Sequence, residues 1–284
     1  MNETVLRSTL RRVGALATLP DTALRIMAMA EDPATTEPMV HAVLVSDPPL
    51  AARVLRVVNS AFYHRQRKVS TPLAAIRILG TTAIQNIAMA ASLHRLFRGR
   101  HALPGFDPAA LWMHSVTVAT AARELSIYTR VGMPEEALLA GLLHDIGIIA
   151  MMQAWLPAFS TVIQQSLDDE THTLRSIELR TMGVSHDVVG ATLCDMWHFP
   201  ETLTTACRSH HDYRSLTGDL RRWAVLIHTA DRLAPTLGGG YKRTVEEMIP
   251  LPDSMDELGL TASDIEVVSR RIEASLPQMT TLLT

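Results

Sequence analysis

The chain has 284 residues, of which 47% are hydrophobic and 19% charged, and its formal net charge is −3. This composition excludes a disordered or fibrous protein, and without an excess of basic residues it does not favour a nucleic-acid-binding protein. Its two cysteines, Cys194 and Cys207, are too few for a disulfide framework, so we expect a reducing, cytoplasmic environment.

The N-terminal segment, residues 1–20, contains arginines but only a short and broken apolar stretch. It therefore lacks the apolar core of a signal peptide, and we do not expect secretion.

Helix starts recur along the chain, each marked by a proline that follows a capping residue or opens an apolar-periodic run. After two of these prolines, apolar residues recur at helical spacing, whereas alternating strand patterns are hard to find. We therefore predict an all-α protein. The predicted starts are Asp47–Pro48, Thr71–Pro72, Asp107–Pro108 and Pro134.

Charged residues, glycine and proline interrupt the apolar periodicity at residues 98–106. We place a lobe boundary there, with an N-terminal helical lobe in residues 1–105 and a second lobe with a C-terminal helical extension in residues 106–284. The extension should end in a helix that begins with a capping box at Thr261 and Asp264. The apolar face predicted for this closing helix comprises Ile265, Val268, Ile272 and Leu276.

Residues 137–159 come closest to the length of a membrane span. Asp145 lies near the middle of this stretch and would cost about 2.5 to 3.5 kcal/mol in lipid. We therefore predict a buried core helix and no membrane contact.

Five histidines and two aspartates form an ordered set in the second lobe. Neighbouring helical positions point about 100° apart, so His144 and Asp145 can flank one cation while other helices complete its shell. Mixed histidine and aspartate ligation suits Fe, Mn or Zn. A histidine hydrogen-bonded to a carboxylate without metal is the alternative. The set comprises His114, His144, Asp145, His186, His210, His211 and Asp231, whereas surface or packing roles are assigned to His41, His64, His94, His101, His172, His198 and His228.

At these positions the sequence resembles the HD superfamily of metal-dependent phosphohydrolases, whose motif is H...HD...D. His114, the HD pair at 144–145 and Asp231 match it in order. More specifically, residues 16–211 are similar to the HDOD domain, the HD-related output domain of bacterial signalling proteins. This resemblance is carried by "LATLPDTALRIMAMAEDP", "VSDPPLAARVLRVVNSAFY", "VSTPLAAIRILG", "AGLLHDIG", "MGVSHDVVGATLCDMWHFP" and the "SHH" that follows.

The resemblance implies an N-terminal helical lobe packed on an HD-like helical lobe. It also implies that four residues are core metal ligands, while three histidines match the extra histidines of the related HD-GYP phosphodiesterases. The core ligands are His114, His144, Asp145 and Asp231, and the extra histidines are His186, His210 and His211.

Two departures weigh against an enzyme. Ile148 stands where hydrolytic relatives carry a lysine, and an apolar side chain cannot stabilise charge in a transition state. No GYP element follows His211. The sequence therefore favours a non-catalytic or weakly catalytic signalling module that acts through protein–protein interaction, with a possible divalent metal.

The alternative function is a metal-dependent phosphohydrolase acting on a nucleotide or cyclic dinucleotide, with Asp145 and His186 as its catalytic residues. For the module, the expected partners are signalling proteins. Phe62 and Tyr63 would then belong either to a partner surface or, as aromatic residues at a helix end, to the core between the lobes.

Overall fold

The structure is a computed structural model, and it describes residues 1–12, 19, 21–30, 32–60, 63, 68–97, 103–169, 171–241 and 252–283. The described residues are all-α, as predicted, and contain no β-strand. A 3₁₀ turn, Ala234–Leu237, follows α14. The helices are α1 (Glu3–Arg12), α2 (Asp21–Ala28), α3 (Glu37–Val45), α4 (Pro48–Val58), α5 (Pro72–Leu79), α6 (Thr81–Phe97), α7 (Pro108–Thr129), α8 (Pro134–Leu143), α9 (Ile146–Ala154), α10 (Leu156–Asp168), α11 (Leu174–Met182), α12 (His186–Met196), α13 (Glu201–Ser209), α14 (Gly218–Leu233), α15 (Pro252–Leu258) and α16 (Ala262–Leu283).

The predicted helix starts are confirmed. Asp47, Thr71 and Asp107 each occupy the N-cap, and each side chain accepts a hydrogen bond from a backbone N–H two or three residues later. Pro134 is the first residue of α8. These caps satisfy amide groups that have no partner within the helix, so local chemistry alone defines where the helices begin.

The described residues form two hydrophobic cores. One is built from residues 26–91, mainly in α3 to α6, and the other surrounds α7, α8, α9, α12 and α14. The division proposed at residue 105 falls between α6 and α7. The first helix, α1, precedes that division but packs against α9 and α12, so its apolar face belongs to the second core.

Helix α7 lies at the centre of the second core and contacts α8, α14 and α16. Its middle is rich in small residues, which allows α8 to approach closely. A Cβ atom on Gly141 of α8 would lie only 2.5 Å from the Cα of Ala119 in α7. This close crossing brings the C-terminal end of α8 next to His114.

One stretch, Pro134–Ala154, is long and apolar enough to cross a membrane, but 89% of its most apolar window is buried in the protein. The helix breaks at His144 and Asp145, which separate α8 from α9. The buried core predicted for this segment is therefore confirmed, although it consists of two consecutive helices rather than one.

The closing helix α16 begins at Ala262, and its capping box is present. The Thr261 backbone N–H donates to Asp264 Oδ2 at 2.8 Å, and the Asp264 N–H donates to Thr261 Oγ1 at 3.2 Å. Along the predicted apolar face, Val268 and Ile272 are buried. The two remaining members, Ile265 and Leu276, are partly buried against the second core.

Tyr63 lies between the two lobes. It is half-buried, and the Arg123 guanidinium of α7 lies 5.6 Å from its ring centroid. Burial and the neighbouring Glu135 raise the pKa of Tyr63. Tyr63 thus packs between the first hydrophobic core and α7, and a partner-binding role for it stays a prediction. The prediction for Phe62 lies outside the described residues.

Candidate metal centre

The predicted site residues come from several helices, mostly at helix ends, and the structure brings them together. Except for His211, which is half-buried, none is more than 2% exposed. The buried members are His114 within α7, His144 at the C-cap of α8, Asp145 at the N-cap of α9, His186 at the first position of α12, His210 at the C-cap of α13 and Asp231 in the last turn of α14.

The Asp145 carboxylate lies in the middle of the cluster and divides it into two halves. Its Oδ1 lies 3.4 Å from His186 Nε2 and 3.5 Å from His210 Nε2. Its Oδ2 lies 3.3 Å from His144 Nε2 and 3.7 Å from His114 Nε2. Asp145 therefore belongs to both halves, and its carboxylate could contribute a ligand oxygen to a cation held in either one.

Asp231 closes the first half of the cluster. Its Oδ1 lies 3.0 Å from His114 Nε2 and 3.7 Å from His144 Nε2. On the other side of Asp145, His211 extends the second half, with its Nε2 2.9 Å from His186 Nε2.

Hydrogen bonds outside the cluster determine which nitrogen of each histidine faces it. The Nδ1 of His144 donates to the Gly141 carbonyl at 2.7 Å, and the Nδ1 of His210 donates to the Cys207 carbonyl at 2.8 Å. Both rings are therefore oriented with Nε2 toward Asp145. Metal-binding histidines typically donate the other ring N–H in this way.

Glu178 of α11 orients His186 in the same way and was not predicted. One of its oxygens, Oε2, accepts from the His186 side chain Nδ1 at 2.7 Å and from the His186 backbone N–H at 2.8 Å. The glutamate is completely buried. No local pattern links positions 178 and 186, since their contact depends on how α11 packs beside α12.

His228, to which the sequence assigned a surface or packing role, contacts the backbone of a candidate metal ligand. Its Nδ1 donates to the His210 carbonyl at 2.7 Å. It lies three residues before Asp231 on α14, a spacing that places both on one helix face. That spacing was the available signal for its proximity to the site.

The two cysteines lie behind the centre. Their Sγ atoms are 3.5 Å apart, and both thiols are free and buried. Cys207 Sγ donates to the carbonyl of Leu143, the residue that precedes His144. The expected absence of a disulfide framework agrees with these free thiols.

The ionisable side chains in the first half of the cluster strongly shift one another's pKa. Burial alone would lower the pKa of His144, but Asp145 and Asp231 outweigh burial and raise it to about 10. Burial would raise the pKa of Asp145, but His144 and its neighbours hold it well below its ordinary range. Without a metal, this half therefore contains an imidazolium between two carboxylates.

In the second half, the pKa values of His186 and His211 shift in opposite directions. Burial opposes charge on His186, but Glu178 and Asp145 raise the pKa of His186 to about 9. Burial and the adjacent histidines keep the pKa of His211 well below its ordinary value. Without a metal, His186 therefore holds the proton between the two rings and donates it to His211.

The donor atoms fit a metal better than a hydrogen-bonded cluster. In the described residues, His144 Nε2, both Asp145 oxygens and His210 Nε2 are buried without a hydrogen-bond partner. Their ion-pair distances to one another, 3.3 Å or more, exceed the roughly 2.8 Å of a charge-assisted hydrogen bond. Buried polar atoms require partners, and one or two cations between them would satisfy all four. Among the described residues, two groups of donor atoms are each compact enough to hold a metal, because all atoms within a group lie within 4.8 Å of one another. One group comprises Asp145, His186, His210 and His211, and the other comprises His114, His144 and Asp145.

The sequence of residues 16–213 matches the family model for the HDOD domain, over more than half of the chain. This chain belongs to the HDOD family. The HDOD match covers the first hydrophobic core, part of the second and the candidate metal centre up to His211, whereas α1, α14 with Asp231, α15 and α16 lie outside it.

Solved structures share the HDOD fold. An HDOD domain protein of Geobacter sulfurreducens is 24% identical, with a TM-score of 0.74 over 99% of this chain and 98% of that one. A Shewanella amazonensis protein named as a phosphohydrolase is 23% identical, with a TM-score of 0.71 over 97% and 98%. A Marinobacter aquaeolei protein named as a signal transduction protein is 22% identical, with a TM-score of 0.69 over 100% and 65%.

An uncharacterized protein of Treponema pallidum is 24% identical over 204 residues, which are 71% of this chain and 38% of that relative. The HDOD chain therefore spans well under half of the curated relative's length.

Proposed function

We propose that this HDOD protein is a cytoplasmic regulatory module that binds a divalent transition metal between its helices and acts through contacts with signalling proteins rather than by hydrolysis. The observation that carries this proposal is the complete burial of most of the candidate metal ligands. His114, His144, Asp145, His186 and His210 have no exposed surface. Catalytic metal sites keep a position open to substrate, whereas structural sites are closed.

The residue after Gly147 supports the same proposal. Ile148 is completely buried in the second core. It occupies the position at which the resemblance to hydrolytic HD proteins leads one to expect a lysine. An apolar side chain there leaves a phosphate group without that cationic partner.

A bound metal would contribute coordination bonds that join α7, α8, α9, α12, α13 and α14. His144, His186 and His210 would each supply Nε2, and the Asp145 carboxylate would supply one oxygen to each half of the centre. The mixed nitrogen and oxygen donors suit Fe, Mn or Zn. Because the unfolded chain has no preformed site, metal binding would stabilise the fold.

A metal-dependent phosphohydrolase is the second candidate, and the divided donor set favours it. Asp145 and the histidines on either side of it could hold divalent cations, which would supply the charge stabilisation that hydrolysis of a phosphoester requires. His211, the half-buried member of the site, would be the first residue that a substrate meets. A second Shewanella amazonensis protein, named as a metal-dependent phosphohydrolase, shares the fold with a TM-score of 0.59 at 22% identity.

The deciding experiment combines elemental analysis with a phosphodiesterase assay on protein purified without chelators or a histidine tag. We expect about one or two equivalents of Fe, Mn or Zn, a fall in Tm when the metal is removed, and no hydrolysis of bis(p-nitrophenyl) phosphate or a cyclic dinucleotide. His144→Ala and Asp145→Asn should lose the metal. His172→Ala is the matched control, because His172 also contacts an aspartate, at 2.7 Å, but on the surface.

Hydrolysis that disappears in Asp145→Asn would establish the phosphohydrolase instead. A parent protein that takes up no metal even after reconstitution would contradict both candidates and leave the centre as a buried hydrogen-bonded cluster.

A further inference from the structure

A second concave site lies at the opposite end of the helices that carry the metal centre. It is a groove of about 360 Å³ where the C-terminal end of α7 meets the N-terminal ends of α8, α13 and α14. Val131, Leu220 and Trp223 form its apolar part. None of the residues that line it belongs to the predicted metal centre.

The groove carries two cations and two anions. Arg130, Arg222 and Asp219 are exposed, and Glu136 is half-buried. Neither arginine has a carboxylate within ion-pair distance in the described part of the chain, whereas nearby Arg208, Arg214 and Arg221 are each paired with one. The two guanidinium groups are therefore available to an anionic ligand group, and Asp219 and Glu136 to a cationic one.

Hydrogen bonds and close packing connect the walls of the groove. The Trp223 indole N–H donates to the Thr202 carbonyl at 2.8 Å, and the Thr202 hydroxyl donates to Glu136. Trp223 packs so closely on Gly132 that a Cβ atom there would lie 2.2 Å from the indole ring. The glycine has a φ of +66°, so this close approach and the backbone conformation both require it. These contacts connect the N-terminal parts of α8, α13 and α14 at the groove.

Three of the residues in these contacts lie on helices that also carry candidate metal ligands. Glu136, Thr202 and Trp223 each lie eight positions before a candidate metal ligand on the same helix. Eight residues of α-helix span about 12 Å. The groove and the metal centre are thus the two ends of one three-helix unit. The pairs are Glu136 and His144 on α8, Thr202 and His210 on α13, and Trp223 and Asp231 on α14.

We infer that this groove binds a small zwitterion, a molecule such as a free α-amino acid that carries one carboxylate and one ammonium group. The carboxylate lies between Arg130 and Arg222, the ammonium group faces Glu136 and Asp219, and the apolar part rests on Leu220 and the edge of Trp223. The volume of the groove suits a ligand of this size.

We further infer that the zwitterion alters the affinity of the metal centre through α8, α13 and α14. This second step rests on the proposed metal-binding function, whereas the first does not. A ligand that moves the first turn of any of these helices also moves a metal ligand, because a helix transmits displacement along its axis. Such coupling is reciprocal, so metal would change the affinity for the zwitterion by the same factor.

The test begins with calorimetric titration of the full chain, in the presence of a chelator, with each common α-amino acid. Acetate and methylammonium serve as single-charge probes. We expect saturable binding by at least one amino acid, no binding by either single-charge ion, and at least a tenfold loss of affinity in Arg222→Gln and in Asp219→Asn. Arg56→Gln is the control, since Arg56 is an exposed arginine of α4 that belongs neither to the groove nor to the metal centre.

If no amino acid binds saturably, or if acetate binds as tightly as the amino acids, the groove is not a zwitterion site. If binding is found, the metal titration is repeated with the zwitterion at saturation. A shift of threefold or more in the apparent metal Kd is expected, and an unchanged Kd overturns the coupling. A chain that binds the zwitterion but no metal would contradict the proposed function while leaving the groove established.

Discussion

Glu178 shows how a single residue beyond the cluster determines its chemistry. By accepting from His186 Nδ1 it keeps Nε2 of that ring facing Asp145 and His211. The same glutamate oxygen caps the first backbone N–H of α12. The residue thus positions both the side chain and the helix that carries it.

Replacing Glu178 with glutamine should weaken metal binding by roughly ten- to a hundredfold, the usual effect of losing such a supporting carboxylate. The amide keeps the shape of the side chain but no longer holds the His186 N–H with a full negative charge. Competition with a chromophoric chelator would measure the change. Glu201→Gln, at an exposed position, is the control, and equal metal affinity in the two variants would contradict this role for Glu178.

The protonation of His144 and His186 predicts that metal binding depends on pH. The pKa of His144 is raised to about 10 and that of His186 to about 9, so both are protonated at neutral pH without metal. Metal binds only neutral imidazole and must displace these protons. Affinity should therefore rise from pH 6 to pH 9, with about two protons released at pH 7. Calorimetry in buffers of different ionisation enthalpy would count them, and a pH-independent affinity would exclude this protonation.

At the scale of helices, α9 and α12 cross at a pair of glycines. A Cβ atom on Gly147 would lie 1.9 Å from the His186 carbonyl oxygen and 2.7 Å from the backbone nitrogen of Gly190. This contact places the first residue of α12 against the N-terminus of α9, where Asp145 lies. The glycine after the HD pair is therefore required by backbone packing.

Gly147→Ala should destabilise the protein by roughly 3 kcal/mol, the upper end of the range for overpacked sites, because backbone atoms cannot move aside as a side chain can. It should also reduce metal binding, since α12 carries His186. Gly190→Ala is the matched control. Its Cβ would lie 3.2 Å or more from its neighbours, and the gain in helix propensity offsets the crowding, so we expect a change within about 1 kcal/mol. Urea denaturation would compare the two, and equal losses would contradict the packing argument.

At the scale of the whole molecule, α16 contacts helices on both sides of the division proposed at residue 105. It lies along α7 of the second lobe, and its last turn reaches α4 and α6 of the first. Met279 and Leu283 are buried in the second core, and Leu282 packs against the first. The same turn covers a small cavity lined by Tyr63 and Arg123. The relative position of the lobes thus depends on a helix that follows the HDOD match.

Truncating Met279 and Leu282 to alanine should therefore loosen α4 and α6 more than the metal centre, because Leu282 packs against the first core and Met279 lines the cavity beside Val57 and Ile87. The loss of the buried Met279 side chain alone costs roughly 2 to 5 kcal/mol. Hydrogen exchange should accelerate in α4 and α6, with a smaller change in α12 and α13. Thr281→Ala alters an exposed position of the same turn and serves as the control. Uniform acceleration throughout the chain would show that α16 stabilises the molecule as a whole instead.

The sequence by itself determined the all-α class, the helix starts at Asp47, Thr71 and Asp107, and the closing helix with its capping box. These features follow from local chemistry, because a cap or an apolar period acts within a few residues. The ordered histidines and aspartates also indicated which residues would meet, since the HDOD resemblance supplied the non-local information that spacing lacks.

Only the tertiary structure decided how those residues meet. The contact of Glu178 with His186, the approach of Cys194 to Cys207 and the glycine crossing at Gly147 all join positions on different helices. Such contacts depend on the packing of whole helices against one another, which no local pattern encodes. The groove at Arg130 and Arg222 is of the same kind, since it exists only because the ends of four helices converge.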